Sequence, residues 1–237
     1  DHMEYLGNNI KDIAYEKAGI IKENSLVIFD DSNREAGKVI LKMSNDRNSK
    51  AVLLSSFNYQ YLDFTEVEYK KKAAALAILA AKSFGEKVEN INTVLKNTVW
   101  HGRMEEVKKN IFLDGAHNEP AALEFVKNVL QITRSGNMKI KLLVSIVKDK
   151  EYDKIFYILT KNLEVEKYYL TTLKSDRSSN IDDLKSSLIK NLIKNSRKSE
   201  MVCFNSAKDA FIIAENEKKE NEVLFCVGSL YLIGEII

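Results

Sequence analysis

Apolar and polar positions alternate along this chain with two periods, and the switches between them predict its elements. Between Asn8 and Ile21 the apolar residues Ile10, Ile13, Ala14, Ala18 and Ile20 recur at helical spacing. Leu26-Phe29 reads as a short strand, Asn33 as the cap of a helix running toward Met43, and Ala51-Leu54 as a second strand. Tyr59-Phe64 alternates like an exposed strand, and Glu66 to Phe84 reads as one alanine-rich helix closed by Gly85. A short helix at Ile91-Lys96 follows. Beyond it the pattern becomes regular. Strands at Ile111-Leu113, Ile140-Ile146, Lys167-Thr171, Glu200-Phe204 and Val223-Val227 alternate with helices at Glu119-Leu130, Glu151-Leu159, Ile181-Ile193 and Ala207-Asn216, and an apolar tail, Leu230-Ile237, ends the chain.

Strands separated by helices of this length need right-handed crossovers and a mostly parallel sheet covered on both faces. The fold class is therefore α/β, with a joint near Asn97. Residues 98–237 form a complete α/β domain with a Rossmann-like, mostly parallel sheet. Residues 1–97 carry too few strands to be a whole domain of the same kind.

Composition narrows the function classes. Among 237 residues, 45% are apolar and 30% charged, enough for a buried core under a polar surface. The longest apolar run, Ala73 to Ala81, is half of the roughly 18 residues that would mark a membrane span. Thirty-six Lys and Arg face 34 Asp and Glu, a balance that announces neither a nucleic-acid nor a membrane partner. The opening Asp1-His2-Met3-Glu4 is not the basic start of a secretory signal, so a cytoplasmic location is expected. Cys203 and Cys226, both in strand-like runs, are expected to be buried, reduced thiols.

Several residues could carry chemistry. Lys17 lies three and four residues beyond Ala14 and Ile13, on the apolar stripe of its helix. A lysine there either snorkels to water, the commoner outcome, or is buried with a depressed pKa, as an amine that forms a carbamate requires. In Phe112-Leu113-Asp114-Gly115-Ala116-His117-Asn118-Glu119-Pro120 an apolar strand ends in an aspartate, a glycine permits a tight turn, and Asn118 and Pro120 start a helix. Ligands of parallel sheets collect at such strand ends. Asp114 could accept ribose hydroxyls there, with His117 and Asn118 on the same rim; equally, Asn118 could only cap and His117 be an exposed loop residue. Arg103 follows Gly102 at the joint and is suited to phosphate by its planar, permanently charged fork. Lys148-Asp149-Lys150 and Gly228-Ser229 also follow strands. His2 could ligate a metal or belong to a solvated terminus. No GxxxxGK[ST], GxGxxG, CxxC, HExxH or GxSxG occurs in the 237 residues.

In order along the chain, Asp1-His2-Met3-Glu4-Tyr5-Leu6-Gly7, Ile13 to Lys22, Trp100-His101-Gly102-Arg103-Met104-Glu105, Leu113 to Pro120, Lys148-Asp149-Lys150 and Gly228 to Glu235 resemble folylpolyglutamate synthase and the bifunctional dihydrofolate synthase of the Mur ligase superfamily. The match covers nearly the whole chain but lacks the family's N-terminal P-loop portion, and His101 stands where the family usually has proline. The resemblance implies that residues 1–97 are the remaining C-terminal part of a central ATPase domain and 98–237 the C-terminal domain. It implies ATP-dependent addition of L-glutamate to folate or dihydropteroate through an acyl phosphate, with ATP and Mg2+ as cofactors, in a monomer. Carried over by position, His2 would be a magnesium ligand and Lys17 the carbamylated, metal-positioning lysine. His117 would be catalytic, Arg103, Asp114 and Asn118 would bind ATP, and Ser229 and Lys150 would bind glutamate. The alternative is a non-catalytic piece that only binds nucleotide or glutamate.

Overall fold

The computed structural model describes residues 6–7, 9–134 and 136–237, and places them in two compact units that divide between Thr98 and Val99. The first unit pairs β1 (Leu26–Phe29) with β2 (Lys50–Leu53) in parallel, in register from Leu26 opposite Lys50 to Phe29 opposite Leu53. Helix α1 spans Ile10–Ala18, shorter than the Asn8–Ile21 expected, and Asn9 caps it by accepting from the Lys11 and Asp12 amides. Helix α2 (Arg34–Asp46) makes the crossover between the strands, capped by Asn33, whose side chain accepts from the Ala36 amide. Helices α3 (Glu68–Ser83) and α4 (Ile91–Lys96) complete the unit.

Two expectations fail in this unit. Tyr59–Phe64 is not a strand but a run of bends and turns, closed where the Leu62 amide donates to the Tyr59 carbonyl. No neighbouring strand offers it a ladder. Instead Leu62 is fully buried against Ala74 and Ile78 of α3, with Phe57, Tyr59 and Phe64 around them, so contact with a helix rather than pleat alternation explains its apolar residues. Lys17 is the second case. The buried positions of α1 are Ala14 and Ala18, one helical turn apart, and Lys17 is exposed. The solvated outcome holds for that side chain.

The second unit is a six-stranded sheet in the order β3-β4-β8-β5-β6-β7. Its strands are β3 (Glu105–Lys108), β4 (Ile111–Asp114), β5 (Lys139–Val144), β6 (Val165–Thr171), β7 (Glu200–Phe204) and β8 (Glu222–Val227), and β3 alone runs antiparallel. β3 has no counterpart in the periodicity reading. Glu-Glu-Val-Lys shows no apolar alternation because it is an exposed edge strand, and Asn110, with φ of 60°, turns it into β4. The remaining expected strands and helices stand within a few residues of their sequence boundaries. The apolar tail is a helix, α9 (Leu230–Ile236).

Topology decides which helix covers which face. The chain steps in one direction from β4 through β5 and β6 to β7, using α5 (Glu119–Arg134), α6 (Tyr152–Asn162) and α7 (Ile181–Lys194). It then reverses through α8 (Ala207–Glu217) to insert β8 between β4 and β5. Right-handed crossovers in opposite directions cover opposite faces. Accordingly α5, α6 and α7 pack side by side. Ala207, Ala210 and Ala214 of α8 join Leu232 and Ile233 of α9 over Leu113, Leu143, Tyr169 and Cys226 on the other face. Cys226 is thus fully buried, and burial pushes its thiol pKa well above the ordinary range. Cys203 is exposed on edge strand β7, against the expectation that both thiols are buried.

Candidate functional site

The reversal creates a rim where ligands can settle. At the carboxyl end of β8 the chain turns to α9 on one face, while the flanking strands β4 and β5 lead to α5 and α6 on the other. The sheet therefore opens on both sides of β8, the switch point at which parallel sheets hold ligands. Three segments line it: Asp114 to Asn118, Ser145 to Lys150, and Gly228 to Tyr231.

Asp114, 6% exposed, builds the first of them. One carboxylate oxygen accepts the Met104 amide at 2.9 Å and the other the Ala116 amide at 2.8 Å. The Gly115 amide donates to the Gly102 carbonyl at 2.7 Å. The strand end is thereby stapled to the Gly102-Arg103-Met104 turn, in which Gly102 and Met104 take positive φ of 68° and 42°. A carboxylate holding two backbone amides is part of the frame, and it presets the turn that carries Arg103. Arg103 is half-buried; its Nη1 reaches the Gly102 carbonyl at 3.3 Å, and it makes no ion pair with a described residue. A Cβ on Gly115 would stand 2.8 Å from that Nη1 and 2.4 Å from Leu230 Cδ2, so only glycine lets α9 and Arg103 approach here.

Asn118 caps α5, its side-chain oxygen accepting the Ala121 amide at 2.9 Å. His117 is half-buried rather than a free loop residue. Its Nδ1 lies 2.8 Å from the Gly115 carbonyl, which can only accept, so Nδ1 is a donor, and the uncharged tautomer that fits this bond has its lone pair on Nε2. Ser229, 2% exposed, caps α9 through the Tyr231 amide at 3.0 Å. Gly228 has φ of 117° and a Cβ there would meet the Ser145 carbonyl oxygen at 2.5 Å. This glycine is what lets β8 lie against the end of β5. Ser145 itself is fully buried, and its hydroxyl has no hydrogen-bond partner among the described residues.

Five of the expected site residues, Arg103, Asp114, His117, Asn118 and Ser229, thus lie on three neighbouring segments of one rim, the Gly102–Met104 turn, Asp114–Asn118 and Gly228–Tyr231, and Lys150 lies on the adjacent loop after β5. Lys17 belongs to the other unit, and His2 lies outside the described residues. Among the described residues no three His, Cys, Asp or Glu side chains come together as a metal-binding group. Residue-level reading missed Arg177, which binds Asp149 from the loop after β6; only its position after a strand could have marked it. No helix among the described residues is long and apolar enough to cross a membrane.

Comparison with known proteins bears on the family and the fold. The chain is 29% identical to the dihydrofolate synthase/folylpolyglutamate synthase of Bacillus subtilis, over all of this chain and 59% of that protein. It is 27% identical to the probable dihydrofolate synthetase of Schizosaccharomyces pombe, over all of this chain and 62% of the relative. The chain therefore spans about three fifths of these relatives. Among solved structures it superposes on Escherichia coli FolC in complex with DHPP and ADP with a TM-score of 0.81 at 19% identity, covering 100% of this chain and 58% of FolC. For the folylpolyglutamate synthase of Thermotoga maritima the values are 0.77, 22%, 98% and 58%. A Yersinia pestis bifunctional synthase with a TM-score of 0.76 was solved with AMPPNP and a Mn ion, at 19% identity and over 100% of this chain and 58% of that one. The profile of the family described as dihydrofolate synthetase, C-terminal domain, matches residues 97–237, more than half of the sequence, and the chain belongs to that family.

Proposed function

We propose that this chain is the nucleotide- and glutamate-handling part of an ATP-dependent ligase that adds L-glutamate to folate, dihydropteroate or both. The reading is supported most by one observation: a half-buried arginine that makes no ion pair with a described residue, on a turn fixed by a buried aspartate, at the switch point of a parallel sheet. ATP supplies the phosphoryl group that activates the substrate carboxylate as an acyl phosphate with release of ADP, and the glutamate amine then attacks the acyl carbon, expelling phosphate as the amide forms. In this reading residues 98–237 are the C-terminal ligase domain and 1–97 the remainder of a central ATPase domain, in a monomeric cytoplasmic enzyme.

The chain's own groups divide the work. Arg103 neutralises phosphate, and Asp114, with Asn118 beside it, holds the ribose side while keeping the Arg103 turn in place. His117 takes a proton on Nε2 as the amine attacks. Ser229 and Lys150 meet glutamate. Lys17 as a carbamate-forming lysine rests on the family resemblance alone, since its side chain is exposed. The described residues do not assemble a magnesium site.

ADP release should require a folate substrate and glutamate together, and Asp114→Ala should abolish it. Release that is indifferent to glutamate would overturn the assignment. The alternative reading is a module that binds nucleotide without turnover. Calorimetry with ATP in the presence of a folate substrate and glutamate separates the two: stoichiometric binding with no ADP formed supports the module, and turnover refutes it.

A further inference from the structure

One cation on the rim is already engaged. Arg177 sits in the loop between β6 and α7, and its Nε donates to one Asp149 oxygen at 3.2 Å while Nη2 donates to the other, a two-pronged fork. Its Nη1 donates to the Tyr231 hydroxyl at 3.2 Å, and the guanidinium lies 5.4 Å from the centre of the Tyr231 ring. The backbone joins in. The Arg177 carbonyl accepts the Lys148 amide at 2.9 Å, Val147 bridges to Ser178, and the Ser179 hydroxyl donates to the Ile146 carbonyl at 2.6 Å. The loops after β5 and β6 are thus fastened to each other, and Tyr231 ties them to α9.

Lys148 and Lys150, the sequence neighbours of Asp149, make no ion pair with a described residue. The fork from Arg177 holds the Asp149 carboxyl below the ordinary carboxylate range, with the charge of Lys150 a smaller contribution in the same direction. If the fork were absent, this carboxylate would be left to its lysine neighbours, of which Lys150 already acts on its charge. A lysine neutralised by its neighbour attracts an anion less. An arginine suits the task because its planar fork takes both oxygens while its third nitrogen bonds the Tyr231 hydroxyl, which a lysine cannot reproduce.

We propose that Arg177 is a positioning residue that sequesters the Asp149 carboxylate, leaving the Lys148 and Lys150 ammonium groups unpaired for a carboxylate of the incoming glutamate. The inference rests on the assignment of Lys150 to glutamate and adds a residue that acts through it. In the active protein, R177M should raise the KM for glutamate about tenfold and leave kcat within about twofold, since a lost charge contact of this kind is worth about one decade. R177M/D149N should recover most of that loss, because no carboxylate remains to occupy the lysines. R177K, which keeps the charge but loses the fork, should fall between R177M and the parent. A KM unmoved by R177M overturns the proposal. So does a double variant no better than R177M, the result a merely structural staple would give. A crystal structure of R177M, or of R177K if R177M does not fold, reads the same point without turnover. Asp149 paired with Lys148 or Lys150 supports the proposal, and Asp149 left in solvent overturns it. Absence of glutamate-dependent turnover in the parent sinks the ligase reading alone, while that structure still decides the role of Arg177.

Discussion

The two ends of the second unit's sheet use charge in opposite ways. At the amino end Lys141 and Glu222, 7% and 1% exposed at their side chains, pair at 2.8 Å. The Lys141 ammonium also donates to the Glu217 carbonyl at the end of α8, and the Lys219 amide donates to Glu222. Beside them Glu217 accepts both the Lys167 ammonium and the Tyr169 hydroxyl at 2.6 Å. Each charge there has a partner inside the protein, so the edge is closed. At the carboxyl end Arg103, Lys148, Lys150 and Lys174 make no ion pair with a described residue, although backbone and carboxylate bonds hold the turns that carry them. Charges that answer one another secure α8 to the sheet; fixed cations left unanswered are what an anionic ligand requires.

The comparison breaks most visibly at Lys141. Lys141→Met leaves Glu222 buried without its cation and should cost about 3–5 kcal/mol in urea unfolding followed by circular dichroism. A loss below about 1 kcal/mol would mean that the amino edge is not held by this pair. Gly228→Ala comes next, at about 2–3 kcal/mol, because the added carbon strikes a backbone carbonyl at a φ that alanine avoids. Asp114→Asn keeps one acceptor of two and should cost about 1–2 kcal/mol, since one buried amide loses its partner. Arg103→Ala is expected to shift unfolding by no more than about 0.5 kcal/mol yet to weaken nucleotide binding about tenfold or more in calorimetry. Equal losses in stability and affinity would erase the distinction between the two ends.

Acid should sharpen it. Burial raises the Glu222 pKa, but the hydrogen bonds and charge of Lys141 and the Lys219 amide outweigh burial and hold it below the ordinary value. Lys167, then Tyr169, hold Glu217 below it too. A carboxylate with a lowered folded pKa stabilises fully above its unfolded pKa and loses that contribution as pH falls through the folded one. Stability should therefore be flat near neutrality with respect to these groups and decline below the ordinary glutamate range. A midpoint scan in Lys141→Met should show a shallower acid limb than the parent.

Much of this was legible in the residues. The α/β class and its mostly parallel sheet follow from five apolar strands separated by amphipathic helices, and the dihydrofolate synthetase family from ordered motifs. Asp114 and Asn118 were legible as strand-end and cap residues, because an aspartate after an apolar run and an asparagine before a helix are local features, whereas Ser229 was legible only as a hydroxyl after the last strand and its cap of α9 came from the structure. What could not be read was whatever depended on a distant partner. β3 has no period of its own and exists because β4 offers a ladder. Tyr59–Phe64 alternates but meets a helix. Lys17 fits an apolar stripe, yet α1 buries only its neighbour Ala18 and Ala14.

By itself, then, the sequence determined the order of strands and helices, their caps and the glycines at their turns, since each depends on interactions within a few residues. Tertiary structure alone decided that β8 enters between β4 and β5, opening the sheet beside it, and that Arg177 meets Asp149 from a loop 28 residues away. Burial is a property of the assembled layers, so it too was settled only there: Lys141 deep and paired, Lys17 and Cys203 in water.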